Sequence, residues 1–180
     1  MNRRRLLAGA AAVTAAAAAL KTSYDLGFFS KPDNKVEFIE YEPPQELTND
    51  PLGIGKHLID LIARESDARL VILDFFADWC PACHELSPKL IPAAQATGED
   101  VLILKVDMEK YEFLQPLKQE DYYPEIQLYK DREMVAAGVG NVSQEVLTNA
   151  IKRALTKWRE GKLLREETIF ERHDGPSVRL

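Results

Sequence analysis

The chain has few cysteines. Among its 180 residues there are two, Cys80 and Cys83, and three histidines. That excludes a scaffold stapled by several disulfides, and no second Cys/His cluster exists to complete a four-ligand zinc site. Long apolar runs are lacking too. The uncharged, alanine-rich stretch from Leu6 to Leu20 is fifteen residues long, short of the ~20 that a spanning helix needs. There is no excess of base. Lys and Arg number 23 against 29 Asp and Glu, a net charge of −6, which argues against a nucleic-acid binder. The chain shows no internal repeat and, outside the alanine run, no low-complexity tract. Residues 1–20 carry three arginines and no acid, so beyond them 20 bases face 29 acids, a net charge of −9. What remains is the length of one globular domain with a core of its own.

The two cysteines lie in the stretch Asp74-Phe75-Phe76-Ala77-Asp78-Trp79-Cys80-Pro81-Ala82-Cys83-His84. It follows the apolar run Leu70-Val71-Ile72-Leu73, which reads as a buried strand, Leu70 to Phe76 in full. Beyond it Leu86, Leu90 and Ile91 recur at helical spacing. The pair therefore sits where a strand hands over to a helix, with Cys80 as N-cap and Pro81 as first helical residue. Free N–H groups and the helix dipole favour a negative charge there, so a thiol at this point loses its proton more readily. Cys83, one turn on, can reach the same sulfur. This spacing suits thiol–disulfide exchange, with Cys80 attacking and Cys83 resolving the mixed disulfide. A half-built metal site using Cys80, Cys83 and His84 or His57, and a static disulfide, are the competing readings. Asp74 interrupts an apolar strand. Burial there raises a carboxyl pKa and makes it a candidate proton acceptor for Cys83.

On these residues the chain resembles the thioredoxin-fold family. Trp79-Cys80-Pro81-Ala82-Cys83 is similar to the family's W-C-x-x-C site. Asp74 matches its buried strand aspartate, Pro88 the proline within the active-site helix, and Lys105 the lysine beside the aspartate. Tyr123-Pro124 matches its cis-proline dipeptide, and Val139-Gly140 its late V-G. The resemblance covers residues 36–156. It implies an α/β thioredoxin fold, a central mixed sheet with helices on both faces, and dithiol–disulfide exchange requiring no metal or organic cofactor. It also implies that Cys80, Cys83, Asp74 and Lys105 carry the chemistry, with Lys105 balancing Asp74. Trp79, Pro81, Ala82, Tyr123 and Pro124 then shape the docking surface, with Trp79 shielding an exposed Cys80 thiol. Two positions depart from the pattern. Pro81-Ala82 stands where thioredoxin has Gly-Pro, and Tyr123 and Glu125 flank the proline where many members have a small or β-branched residue and a threonine.

Elsewhere the periodicity predicts a first strand over Val36–Tyr41 and a helix over 54–65 with Leu58, Ile59, Leu61 and Ile62 inward. A buried parallel strand over Val101–Lys105 and a short helix over 111–119, interrupted by Pro116, come next. Ile126–Tyr129 and Met134–Val139 form a hairpin around Lys130–Glu133, the second strand at an edge. A last helix starts at Ser143, with Val146, Leu147, Ile151 and Leu155 on one face, covering the sheet opposite the active-site helix. His57 reads as a surface or half-buried residue. Residues 21–35 read as a linker and 157–180 as a charged extension without assigned chemistry.

The amino terminus reads as an address. Met1-Asn2-Arg3-Arg4-Arg5 is a basic n-region followed by an apolar stretch of signal-peptide length, and Asn2-Arg3-Arg4-Arg5-Leu6-Leu7 resembles a twin-arginine signal. An ordinary secretory signal is the alternative. Ala17-Ala18-Ala19 offers a cleavage site, and uncleaved residues 6–20 would be a marginal anchor. These features place the protein in the periplasm or otherwise outside the cytoplasm. They lead to an exported monomer that exchanges disulfides with proteins, more as reductant than oxidant, and draws electrons from a membrane partner. An oxidant or isomerase, and a non-catalytic binding or chaperone module, are the rivals.

Overall fold

The computed structural model describes residues 34–161, so the expected signal peptide, most of the linker (residues 21–33) and residues 162–180 of the extension lie outside the described residues. The elements run β1 (Val36–Glu40), α1 (Pro51–Ala68), β2 (Leu70–Phe76), α2 (Pro81–Gln95), β3 (Val101–Asp107), β4 (Glu125–Lys130), β5 (Glu133–Val139) and α3 (Gln144–Arg159). Short 3₁₀ turns lie at Gln45–Leu47 and Glu112–Leu117. The strands form one mixed sheet in the order β1-β3-β2-β4-β5. β1, β3 and β2 run parallel, and β4 and β5 are antiparallel. Among the described residues no helix is long and apolar enough to cross a membrane.

β2 is buried along its whole length, and its alternation divides the core. Leu70 and Ile72 pack with Leu86 and Leu90 of α2, whereas Val71, Leu73 and Phe75 pack with Ile54, Leu58 and Ile62 of α1. Asp74 shares the α2 side with Leu70 and Ile72. The Cys80 junction forms as its residues predict: Cys80 is the N-cap of α2, and Pro81 occupies the first turn. Pro88 and Pro92 lie inside α2, each removing one helical hydrogen bond.

Several expectations change. α1 begins at Pro51, because the Asp50 carboxylate accepts the Gly53 N–H (3.0 Å) and caps the helix there. Ile59 is half exposed, since it lies off the stripe set by Ile54, Leu58 and Ile62. The segment expected as a helix over 111–119 is a 3₁₀ turn containing Pro116, which cannot support a longer hydrogen-bond ladder. α3 starts after its Ser143 cap, with Val146 outward (41 % exposed). It lies on the same side of the sheet as α2, not opposite. Its Leu147, Ala150, Ile151, Ala154 and Leu155 share one buried cluster with Leu86, Leu90, Ala93 and Ala94. The opposite face is already filled by α1, Tyr41 and Leu114, and small alanines let α2 and α3 lie side by side. Trp158 also packs on this cluster. The hairpin turn falls at Asp131 and Arg132, both with positive φ, the geometry that suits a two-residue connection. β5 carries a register irregularity opposite Leu128/Tyr129.

Candidate active site

The site sits at the C-terminal end of β2. Cys80 and Cys83 are joined as a disulfide with Cα atoms 5.3 Å apart. The helix start supplies the expected electrostatics. The Cys83 N–H points at Cys80 Sγ (3.1 Å) as well as at the Cys80 carbonyl, so a backbone donor is already aimed where a thiolate charge would form. The expected exposure of Cys80 is not found: each cysteine of the oxidised pair is 4 % exposed. Phe76, Ala77, Ala82 and Tyr123 close around them. Trp79, next to Cys80 in the chain, is 43 % exposed and meets the Tyr123 ring edge to face at 5.9 Å.

Pro81 is exposed on the first turn of α2, and Ala82 packs on the cysteine cluster. The Tyr123–Pro124 peptide is cis. Pro124 is buried, and its carbonyl accepts the Gly140 N–H at 2.9 Å. The structure thus gathers Trp79, Ala82 and Tyr123 around the cysteine pair.

Asp74 is 2 % exposed, and its Oδ1 is buried with no hydrogen-bond partner. Burial pushes its pKa up to about 7 from 3.8, and the positive charge of Lys105 acts in the opposite direction. Lys105 is the register partner of Asp74 on β3, but the expected direct balance is not made. Its ammonium donates to Ser87 Oγ (3.3 Å) and lies 3.8 Å from the centre of the Phe76 ring. Asp74 therefore feels Lys105 through space and keeps a carboxyl that exchanges its proton near neutrality.

Glu109 and Gln127 have no part assigned from the sequence, whereas His84 and His57 are the metal-ligand candidates and Glu125 is one of the departures named there. Glu109 accepts the Asp78 N–H (2.7 Å) and ties the loop after β3 to the turn before Cys80. His84 meets the Asp78 carbonyl at 2.6 Å; a carbonyl only accepts, so Nε2 carries the proton. That nitrogen is thus engaged away from the cysteines. His57 is half-buried against Tyr41, whose hydroxyl is 3.1 Å from Nδ1. Among the described residues, no three His, Cys, Asp or Glu side chains gather as a metal site. Glu125, which directly follows Pro124, is fully buried together with Gln127. Their signal in the sequence is the alternation Glu125-Ile126-Gln127-Leu128, two polar residues on one face of a strand that β2 and β5 flank.

The family model described as Thioredoxin matches residues 60–153. The chain is similar to the thioredoxin of Chlamydia trachomatis, 35% identical over 88 residues that make up 47% of this chain and 81% of that protein. It is 28% identical to the Bacillus subtilis thioredoxin over 104 residues, 58% of this chain and all of that one. It is 35% identical to a Medicago sativa protein disulfide-isomerase over 80 residues, 42% of this chain but only 15% of that longer protein. Among solved structures, the reduced Schistosoma mansoni thioredoxin pre-protein aligns with a TM-score of 0.50 at 26% identity, covering 65% of this chain and 97% of that one.

Proposed function

The chain belongs to the thioredoxin family and is a thiol–disulfide oxidoreductase, and from that premise we propose that it works outside the cytoplasm as a reductant of disulfides in exported proteins. Cys80, as thiolate at the start of α2, attacks one sulfur of the substrate disulfide. A Cys80–substrate disulfide forms and the first substrate thiolate leaves. Cys83 then gives its proton to the Asp74 carboxylate and attacks Cys80 Sγ. The Cys80–Cys83 disulfide forms, and the second substrate thiolate departs. Two electrons pass from the cysteine pair to the substrate. Trp79, Tyr123 and Pro124 receive the polypeptide, whose extended backbone can pair with that of Tyr123. Lys105 tunes Asp74 through space.

The observation that carries this reading is the Asp74 carboxyl, buried on the face of β2 that packs against α2, the helix that begins with the pair. Its Oδ1 has no hydrogen-bond partner among the described residues, and burial pushes its pKa up to about 7. Such a group both takes and returns a proton at working pH, as the resolving step of a reductant requires. Export is supported by the basic and apolar amino terminus, residues 2–20. A reductant in an oxidising compartment must be re-reduced, which calls for a membrane electron-transfer partner. The protein acts as a monomer.

The test is the reduction potential of the Cys80–Cys83 pair, set by equilibration with glutathione. A value near that of thioredoxin, about −270 mV, is expected. A value near that of strong oxidants, about −120 mV, overturns the direction and assigns the protein to disulfide donation instead.

A further inference from the structure

Glu125 begins β4 on the side of the sheet away from Asp74, in register with Phe75, and it has no solvent exposure. Three donors converge on its carboxylate. Oε1 accepts the Gln119 N–H at 2.8 Å and the Gln127 Nε2 at 2.5 Å, and Oε2 accepts the Glu120 N–H at 3.0 Å. The Gln127 amide cannot turn over to offer an acceptor instead. Its Nε2 also donates to the Leu117 carbonyl (3.0 Å), and its Oε1 accepts the Tyr129 hydroxyl (2.6 Å). Backbone N–H groups only donate, so the site takes a group that accepts at both oxygens. A carboxylate does this; a carboxamide does not.

These bonds grip the turn that leads to the Tyr123–Pro124 peptide. Leu117, Gln119 and Glu120 are held from β4. The neighbouring Lys118, itself 8 % exposed, donates to the Tyr122 carbonyl (3.0 Å) and lies 3.7 Å from the centre of the Tyr123 ring. Tyr123 in turn packs on the cysteine cluster and on Trp79. Burying a carboxylate is costly, and burial raises the Glu125 pKa despite its donors. A turn needed only to close the chain could be made with exposed residues.

We infer that Glu125 is a positioning residue for polypeptide substrates: by clamping residues 117–120 it holds the Tyr123 backbone and ring in place against the cysteine pair, as an edge on which an extended chain docks. This rests on the disulfide-exchange reading above. A small disulfide needs the sulfurs but not that edge.

The experiment compares second-order rate constants for the pre-reduced full-length chain with insulin and with oxidised glutathione, for the wild type and Glu125→Gln. The amide leaves one buried donor facing an N–H₂. The insulin rate should therefore fall about tenfold while the glutathione rate changes less than about twofold. An equal fall with both substrates, or no fall with insulin, overturns the inference and leaves the exchange reading intact. A wild type that reduces neither substrate sinks the exchange reading itself. Should Glu125→Gln not fold, Tyr129→Phe removes the hydroxyl that locks the Gln127 amide. It should slow insulin about threefold and spare glutathione, and equal rates with both substrates overturn the inference by that route.

Discussion

In an Asp74→Asn variant, β2 keeps its shape and loses a proton equilibrium. Burial raises the Asp74 pKa from 3.8 to about 7, so the folded protein holds that proton more tightly than the unfolded chain does. The resulting stabilisation is complete below about pH 4 and is lost as pH rises through about 7. A shift of about three units at 1.36 kcal/mol each makes about 4 kcal/mol. Between the two pKa values, wild-type stability should fall relative to the variant by nearly 1.4 kcal/mol per pH unit, then level off above about pH 8. Asparagine brings its own cost, a buried N–H₂ beside an oxygen site that lacks a partner in the wild type. That cost does not titrate, so the pH dependence of the difference isolates the carboxyl. Urea unfolding of both oxidised proteins at closely spaced pH values, with linear extrapolation, measures it. A difference that stays constant from about pH 4 to about pH 8 would refute the raised pKa and the proton role built on it. Disulfide exchange by the variant should be slower at neutral pH while the domain stays folded.

Lys105→Met removes the charge that draws the Asp74 pKa down, so the pH profile of exchange should move to higher pH; an unmoved profile would mean that Lys105 is merely structural. In the reduced protein near neutral pH, mass mapping after limited iodoacetamide treatment should find Cys80 alkylated before Cys83, and equal rates would discredit the helix-start argument. Cys83→Ser should accumulate mixed disulfides through Cys80 with proteins of the exported compartment, and recovering none there would count against polypeptide substrates. Replacing Arg3 and Arg4 together by lysine should leave the protein in the cytoplasm of fractionated cells; normal export would rule out the twin-arginine route.

The site was more legible than its surroundings. The Cys80–Pro81 junction could be read because capping and a proline at the first turn act within a few residues. Asp74 stood out because a carboxylate inside Leu70–Phe76 breaks an apolar run. Glu125 stood out beside Pro124 as a departure from the family pattern, but its burial did not, since a glutamate beginning a strand ordinarily faces water. It is buried because β4 is an interior strand of the sheet and the turn carrying Gln119 and Glu120 folds over it. The inward faces of α1 and α3 were read one residue too broadly at Ile59 and Val146. Each lies at the border of its stripe, where periodicity cannot tell buried from half exposed.

The sequence by itself determined the strand–helix junction, the cysteine spacing, the hairpin and the run of buried strands. These follow from backbone preferences and from periods of 2 and 3.6, which are properties of neighbours along the chain. Only the tertiary structure decided that α3 shares a face with α2. It also turned Lys105 to Ser87 and Phe76 rather than to Asp74, and it gathered three donors on Glu125. Those outcomes depend on which surfaces remain uncovered and which polar groups remain unsatisfied once distant segments meet. Burial and hydrogen bonding across space settle them, and no local pattern carries that information.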